Sequence, residues 1–185
     1  MFEKRFKSHH DVKSVIGKHF NSMKRMGTPD EIEILFNSDP KEENGVLYVH
    51  VPLCDKICSF CNLNRKQLDN DLEDYTEFLI NEFKKYGATN YMKKKKLEAI
   101  YFGGGTPTIF KAGQLEKILK SVKENFTLTE DYEFTLESTL HNLSDEKLEV
   151  LKKNGVNRLS IGIQSFSNRG REILNRTYDK YAAVK

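Results

Sequence analysis

Several absences narrow this sequence before any motif is considered. No apolar run approaches the length needed to span a bilayer, so no membrane-crossing helix is expected. No signal peptide precedes the body of the chain, so a reducing, cytoplasmic setting is expected, with thiols that stay free. Cysteine is scarce: there are three, and three cannot all pair as disulfides. Neither sign of charge dominates. Thirty Lys and Arg against 27 Asp and Glu leave a net charge of +3, which does not demand a nucleic-acid partner. The one basic run, Lys93–Lys96, lies where a helix ends and a strand begins and reads as a solvated connection. His9, His10 and His19 have no cysteine or carboxylate constellation around them and read as surface residues. The remaining composition is that of an ordinary soluble protein, and 185 residues suit one domain with a real core.

What is present converges on one stretch. A short strand, Val46 to Val51, stops at Pro52 and opens into a loop that holds Cys54, Cys58 and Cys61 in a C-x3-C-x2-C spacing. Three thiolates within eight residues can meet on one metal centre. A four-iron, four-sulfur (4Fe-4S) cluster wants a thiolate at each iron. With three available, one iron lacks a protein ligand and can bind something else. Two other readings stay open. Structural zinc also uses close cysteine pairs, but it wants a fourth Cys or His. No second pair follows, and the nearest histidine, His50, sits on the preceding strand. Inert buried cysteines are the third reading.

Residues 1–45 form a polar, weakly patterned N-terminal extension, with a candidate helix over Asp11 to Met26. Asp39-Pro40 and Asn44-Gly45 are turn signals that close it. Residues 46–185 then alternate strand and helix. An amphipathic helix carries Leu72, Tyr75, Leu79, Phe83 and Tyr86, and Gly87 can end it. The strand Leu97 to Phe102 runs into Gly103-Gly104-Gly105-Thr106-Pro107, and a helix follows over Gln114 to Phe126. Tyr132 to Glu137 is a third strand. The next helix is capped by Ser144 and ended by Asn154-Gly155. A fourth strand spans Arg158 to Gln164, and Arg169 to Thr177 is helical again. No hairpin signal separates the strands, so right-handed crossovers make them parallel, in an α/β barrel or an open doubly wound sheet. In both, chemistry collects at the carboxyl ends of the strands. The unusual residues fall there: Cys54 after strand one, the glycines after strand two, Glu137 at the end of strand three and Gln164 at the end of strand four.

Taken singly these signals are modest. Gly103 to Gly105 let a backbone approach a ligand closely, or serve a tight barrel corner. No Gly-Lys-Ser/Thr follows, so this is not a P-loop. Glu137 can neutralise a ligand amine; Gln164 can bond a ribose or carboxylate; Arg176 can pair with a carboxylate. Phe60, inside the cysteine loop, can stack on a flat ring or be buried.

Together they resemble the radical S-adenosylmethionine (SAM) superfamily, whose hallmark is this cysteine spacing with an aromatic just before the last Cys: here Cys54, Cys58, Phe60 and Cys61. Tyr-Val-His-Val-Pro before the first Cys, Gly-Gly-Gly-Thr-Pro-Thr after strand two, and Val-Asn-Arg-Leu-Ser-Ile-Gly-Ile-Gln-Ser-Phe at strand four resemble its oxygen-independent coproporphyrinogen III oxidase group. The likeness runs from Val46 to about Tyr178. It implies a partial (β/α) barrel that stops after about four βα units. It also implies a 4Fe-4S cluster on Cys54, Cys58 and Cys61, with SAM chelating the fourth iron. Reductive cleavage of SAM would then yield a 5′-deoxyadenosyl radical. Tyr48 matches the family tyrosine near the SAM sulfonium. Gly104, Gly105 and Thr106 match the strip beside the methionine group. Phe60, Glu137, Gln164 and Arg176 match further cofactor-binding positions. The implied partners are a tetrapyrrole substrate and a reduced flavodoxin- or ferredoxin-type electron donor. Two departures matter. Leu63 stands where the porphyrinogen oxidases have another Cys, and Glu137-Ser-Thr-Leu lacks the proline of their Glu-x-x-Pro element. These fit better the relatives that act on heme, either degrading methyltransferases or heme-chaperone-like members.

Overall fold

The computed structural model describes residues 28–68 and 72–176. The helix expected over Asp11 to Met26 lies outside them. The chain divides into two units, Met1–Leu35 and Phe36–Lys185. Helix α1 (Pro29–Asn37) begins in the first, where Thr28 and Glu31 cap it reciprocally: each backbone N–H donates to the other's side chain, at 2.7 and 3.3 Å.

The second unit is built on four parallel strands: β1 (Asn44–Val51), β4 (Lys96–Gly104), β5 (Thr127–Ser138) and β6 (Arg158–Ile161). They lie side by side in chain order. Two short strands, β2 (Leu53–Cys54) and β3 (Lys66–Gln67), form a separate parallel pair. Helices α2 (Leu72–Gly87), α4 (Ala112–Asn125) and α5 (Asp145–Lys153) are the crossovers, and α3 (Asn90–Lys93) is a single turn before β4. Helix α2 packs beside α4, and α4 beside α5. Each strand neighbours its predecessor, and right-handed crossovers of that kind put every helix on one face. This is the order of a barrel segment rather than of a doubly wound sheet.

The helix-covered face carries the core. Val49 and Val51 of β1, Ile100 and Phe102 of β4, and Phe134 and Leu136 of β5 meet Leu79 and Phe83 of α2 and Leu115, Ile118, Leu119 and Val122 of α4. Each large apolar side chain buried in this way contributes about 1.5–3 kcal/mol. Strand alternation sends Tyr48, Tyr101 and Glu137 to the opposite, inner face.

Where the elements end differs from the sequence reading in four places, one of them the helix expected over Arg169 to Thr177, which stops at Ile173 and gives way to Asn175 at φ +55°. Strand β1 begins at Asn44, so Asn44-Gly45 pairs with Lys96 and Leu97 instead of turning, and the register shifts just after Gly45. Strand β5 begins at Thr127. Between Leu97↔Leu128 and Ala99↔Glu133 it advances five residues while β4 advances two, and it bulges there. Strand β6 stops at Ile161, so Gln164 lies beyond it, with φ +61°. Elsewhere the local chemistry is as expected. Ser144 Oγ accepts from Lys147 N at 3.3 Å, and Gly155 leaves α5 with φ +86°.

Candidate functional site

The loop after β1 is fastened to the sheet by backbone bonds. Lys66 N donates to Pro52 O (2.6 Å) and Leu68 N to Cys54 O (2.8 Å), which closes the β2–β3 pair. Gly105 N donates to Val51 O (2.7 Å) and Thr106 N to Leu53 O (2.8 Å), which lays the glycine strip directly on the loop's root. A Cβ on Gly105 would stand 2.5 Å from Leu53 O and 2.9 Å from Cys54 Sγ. Gly104 has φ +109°, and a Cβ there would meet the His50 ring. The glycines therefore let two pieces of this chain touch, whatever else they admit.

His50 ties the loop down from inside the sheet. Its Nε2 lies 2.7 Å from Asn64 O, which can only accept, so Nε2 carries the proton. Nδ1 is then the acceptor for Tyr48 Oη at 2.9 Å. Both ring nitrogens are committed, so His50 does not supply a fourth metal donor. A helix that follows β6 adds a clasp. Helix α6 (Asn168–Ile173) presents Ile173 O to Ser59 Oγ (2.8 Å). Just past it, Asn175, held at φ +55°, donates from Nδ2 to Ile57 O (2.7 Å).

These anchors surround a cavity of about 320 Å³ at the carboxyl ends of the strands. All three cysteines line it, with Phe60, Gly104, Gly105, Thr106, Glu137, Gln164 and Arg176. Cys54 is buried, 8% exposed, and that burial pushes its thiol pKa up; Thr106 Oγ1, 3.7 Å away, works the other way. Arg176 donates from Nη1 to Cys58 Sγ (3.1 Å) and from Nη2 to Gly162 O. Glu137 accepts from Tyr101 Oη at 2.6 Å and from Gly104 N at 3.0 Å, so its carboxylate is aimed along the glycine strip. That bond is also the main reason the Tyr101 phenol is held above its ordinary pKa. Phe60 stands half in solvent at the mouth. Tyr48 is the one predicted site residue that does not line the cavity. It lies on the inner face of β1, stacked on Tyr101 at 6.1 Å. Sequence reasoning missed Arg65, Ser138, Ser160 and Asn175. Only the left-handed conformation needed just after a helix hints at Asn175, and no periodic signal marks the others.

The donor set fits a cluster better than a single ion. Among the described residues no three His, Cys, Asp or Glu side chains gather tightly enough to hold one metal ion. Zinc draws four donors to one atom, whereas a four-iron cube takes each thiolate at a separate iron. Three thiols line one cavity while His50 is occupied elsewhere, which leaves a zinc tetrahedron without its fourth donor and gives a four-iron cluster three ligands and one open iron.

A barrel-type parallel sheet with a three-thiol cavity at its carboxyl edge defines an α/β protein built for a metal cofactor with one open position. Comparison with known proteins makes the class specific. The model of the radical SAM superfamily matches residues 48–185. The chain belongs to the radical SAM superfamily, and the cofactors of that family are a 4Fe-4S cluster and SAM. Among curated relatives, a heme chaperone (HemW) of Lactococcus lactis is 37% identical over 71% of this chain and 33% of its own length. An anaerobilin synthase of Escherichia coli O157:H7 is 32% identical over 81% of this chain and 34% of its own. The oxygen-independent coproporphyrinogen III oxidase of E. coli K12 is 30% identical over 72% and 29%. The solved structure of coproporphyrinogen III oxidase (HemN) from E. coli, described as a radical SAM enzyme, superposes with a TM-score of 0.69 at 26% identity. It covers 85% of this chain and 36% of that one. The chain thus spans about a third of the length of the curated relatives it matches. No helix among the described residues is long and apolar enough to cross a membrane.

Proposed function

We propose that this chain is the cofactor-binding part of a radical SAM enzyme acting on a tetrapyrrole. Cys54, Cys58 and Cys61 would hold the cluster. Gly104, Gly105 and Thr106 would present backbone to the methionine end of SAM, with Glu137 receiving its amine and Gln164 and Arg176 flanking it. Phe60 would stack over the cavity mouth, and Tyr48 would border the site from β1. Held by Cys54, Cys58 and Cys61, the cluster would supply the electron for breaking the SAM sulfonium bond, and the protein's part would be to orient the groups and exclude side reactions. The observation that carries this reading is the convergence of the cysteine loop, the glycine strip and Glu137 on one cavity. A reduced flavodoxin- or ferredoxin-type protein would deliver the electron, in the cytoplasm. The tetrapyrrole rests on relatives named for heme, anaerobilin and coproporphyrinogen.

A second reading, a cluster-bearing heme chaperone without turnover, is favoured by the 37% identity to a heme chaperone. Anaerobic reconstitution with iron and sulfide, followed by reduction with SAM present, tests the first. Methionine and 5′-deoxyadenosine should form, and a heme or porphyrin substrate should be altered. Heme binding with SAM and heme both recovered intact would support the chaperone instead. A colourless product that binds neither would sink both.

A further inference from the structure

The cavity holds a group that neither the motifs nor the fold accounts for. Arg65 lines it, four residues after Cys61. Its Nη1 donates only to Leu63 O, two residues back, at 3.1 Å. Its Nε is buried and has no partner. No ion pair to Arg65 exists among the described residues, although the cavity also holds Asp55 and Glu137. A buried guanidinium nitrogen left unbonded is costly. An arginine tolerated in that state at a ligand cavity is provisioned for something that arrives.

Its backbone is held as firmly as any in the loop. On one side, the carbonyl of Asn64 is gripped by His50 Nε2 at 2.7 Å. On the other, Lys66 N is bonded to Pro52 O at 2.6 Å. Arg65 is thus pinned at both neighbours while its side chain is nearly unspent. The other guanidinium in the cavity, Arg176, also has a buried Nε without a partner, but both its Nη atoms are committed, to Cys58 Sγ and Gly162 O, whereas Arg65 has one Nη bond, to its own loop. A planar fork with free donors pairs best with a carboxylate, which it can grip through two parallel hydrogen bonds.

We infer that Arg65 is the carboxylate-recognising group of this cavity. The inference rests on the proposed SAM and tetrapyrrole reading for its candidate ligands. Two carry the required chemistry: the amino-acid carboxylate of SAM, and acid side chains on the rim of a tetrapyrrole. The experiment separates them with paired probes on the reconstituted, unreduced protein. One pair is SAM and decarboxylated SAM; the other is protoporphyrin and its dimethyl ester. Dissociation constants are measured for the parent, Arg65→Met and Arg65→Lys. The parent should prefer the free acid in one pair by about tenfold or more, as a charged hydrogen-bonded pair implies. Arg65→Met should erase that preference and leave the neutral probe's affinity unchanged. Arg65→Lys, which keeps the charge without the fork, should fall between. The pair affected names the source. The inference is overturned if the parent binds acid and neutral probes alike in both pairs, which needs no variant to fold. It is also overturned if Arg65→Met weakens acid and neutral probes equally. Because nothing is reduced, a failure to cleave SAM would count against the proposed activity without touching this result.

Discussion

Replacing Gly105 by alanine probes the tight joint between the glycine strip and the root of the cysteine loop. The added methyl would be built 2.5 Å from Leu53 O, 2.9 Å from the Leu53 carbonyl carbon and 2.9 Å from Cys54 Sγ. Two of those atoms are backbone held by the Thr106–Leu53 hydrogen bond, so they cannot rotate away. Relief requires the glycine strip to lift off the loop's root or Cys54 to retreat. Overpacking of this kind costs about 1–3 kcal/mol, and opening the joint adds about 1 kcal/mol for a lost backbone bond. We therefore expect Gly105→Ala to destabilise the cluster-free protein by about 2–4 kcal/mol in urea and to lower iron bound per chain after reconstitution. Gly113→Ala is the control. It lies in the first turn of α4 with nothing within 4 Å of the added Cβ, and should gain about 0.4–1 kcal/mol with full iron loading. If Gly105→Ala matched Gly113→Ala in both stability and iron content, the close docking of strip on loop would be wrong.

Other expectations follow from the same geometry. Glu137→Gln replaces the charged acceptor shared by Tyr101 Oη and Gly104 N with a neutral amide, and should cost about 1 kcal/mol; chemical denaturation reads the cost, and a titration with SAM should show weaker binding. Ser59 and Asn175 tie the loop to α6 and the turn just past it, so the double variant Ser59→Ala, Asn175→Gly should lose iron to a chelator several-fold faster while keeping its circular dichroism spectrum. Equal rates would show that the clasp does not steady the thiols. The phenols of Tyr75 and Tyr101 are both held above their ordinary value, Tyr75 by burial and Tyr101 chiefly by its bond to Glu137. Their contribution to stability is complete below the unfolded phenol pKa of about 10 and disappears as pH climbs through the raised folded values. The cluster-free protein should lose stability above about pH 10; Tyr101→Phe should flatten that decline, and an unchanged profile would contradict the assignment.

Much of the architecture could be read from periodicity. Alternation in β1, β4 and β5 and the i, i+4 rows of α2 and α4 are each imposed by burial on a single face, so pattern and structure agree. Edges were less legible. The bulge in β5 depends on how far β4 extends beside it, and β6 ends early because the chain leaves through Gly162 toward a left-handed Gln164; neither leaves a local trace. At the site, the cysteine spacing, the glycines and Glu137 announced themselves through residue type. Gly87 was expected to stop α2 by its conformational freedom, yet it is required because α4 passes too close for any side chain, against Asn125 O. The partners of His50 and the free fork of Arg65 are tertiary facts. They arise from which backbone carbonyl happens to lie opposite, and a single sequence does not encode that in any short-range form.

The clasp on the cysteine loop sets an order of events during synthesis. Ser59 and Ile173 are 114 positions apart, and Asn175 and Arg176 reach residues 118 positions earlier. At about 5–20 residues per second, a ribosome needs several seconds or more to make that span. Through that interval the three thiols lack their downstream brace, and iron loaded then would enter a loop held only by its ties to the sheet and the glycine strip. Metal insertion that waits for residue 176 would meet a finished receptacle, which makes the timing of delivery, and not only its chemistry, a point at which this protein's maturation can be governed.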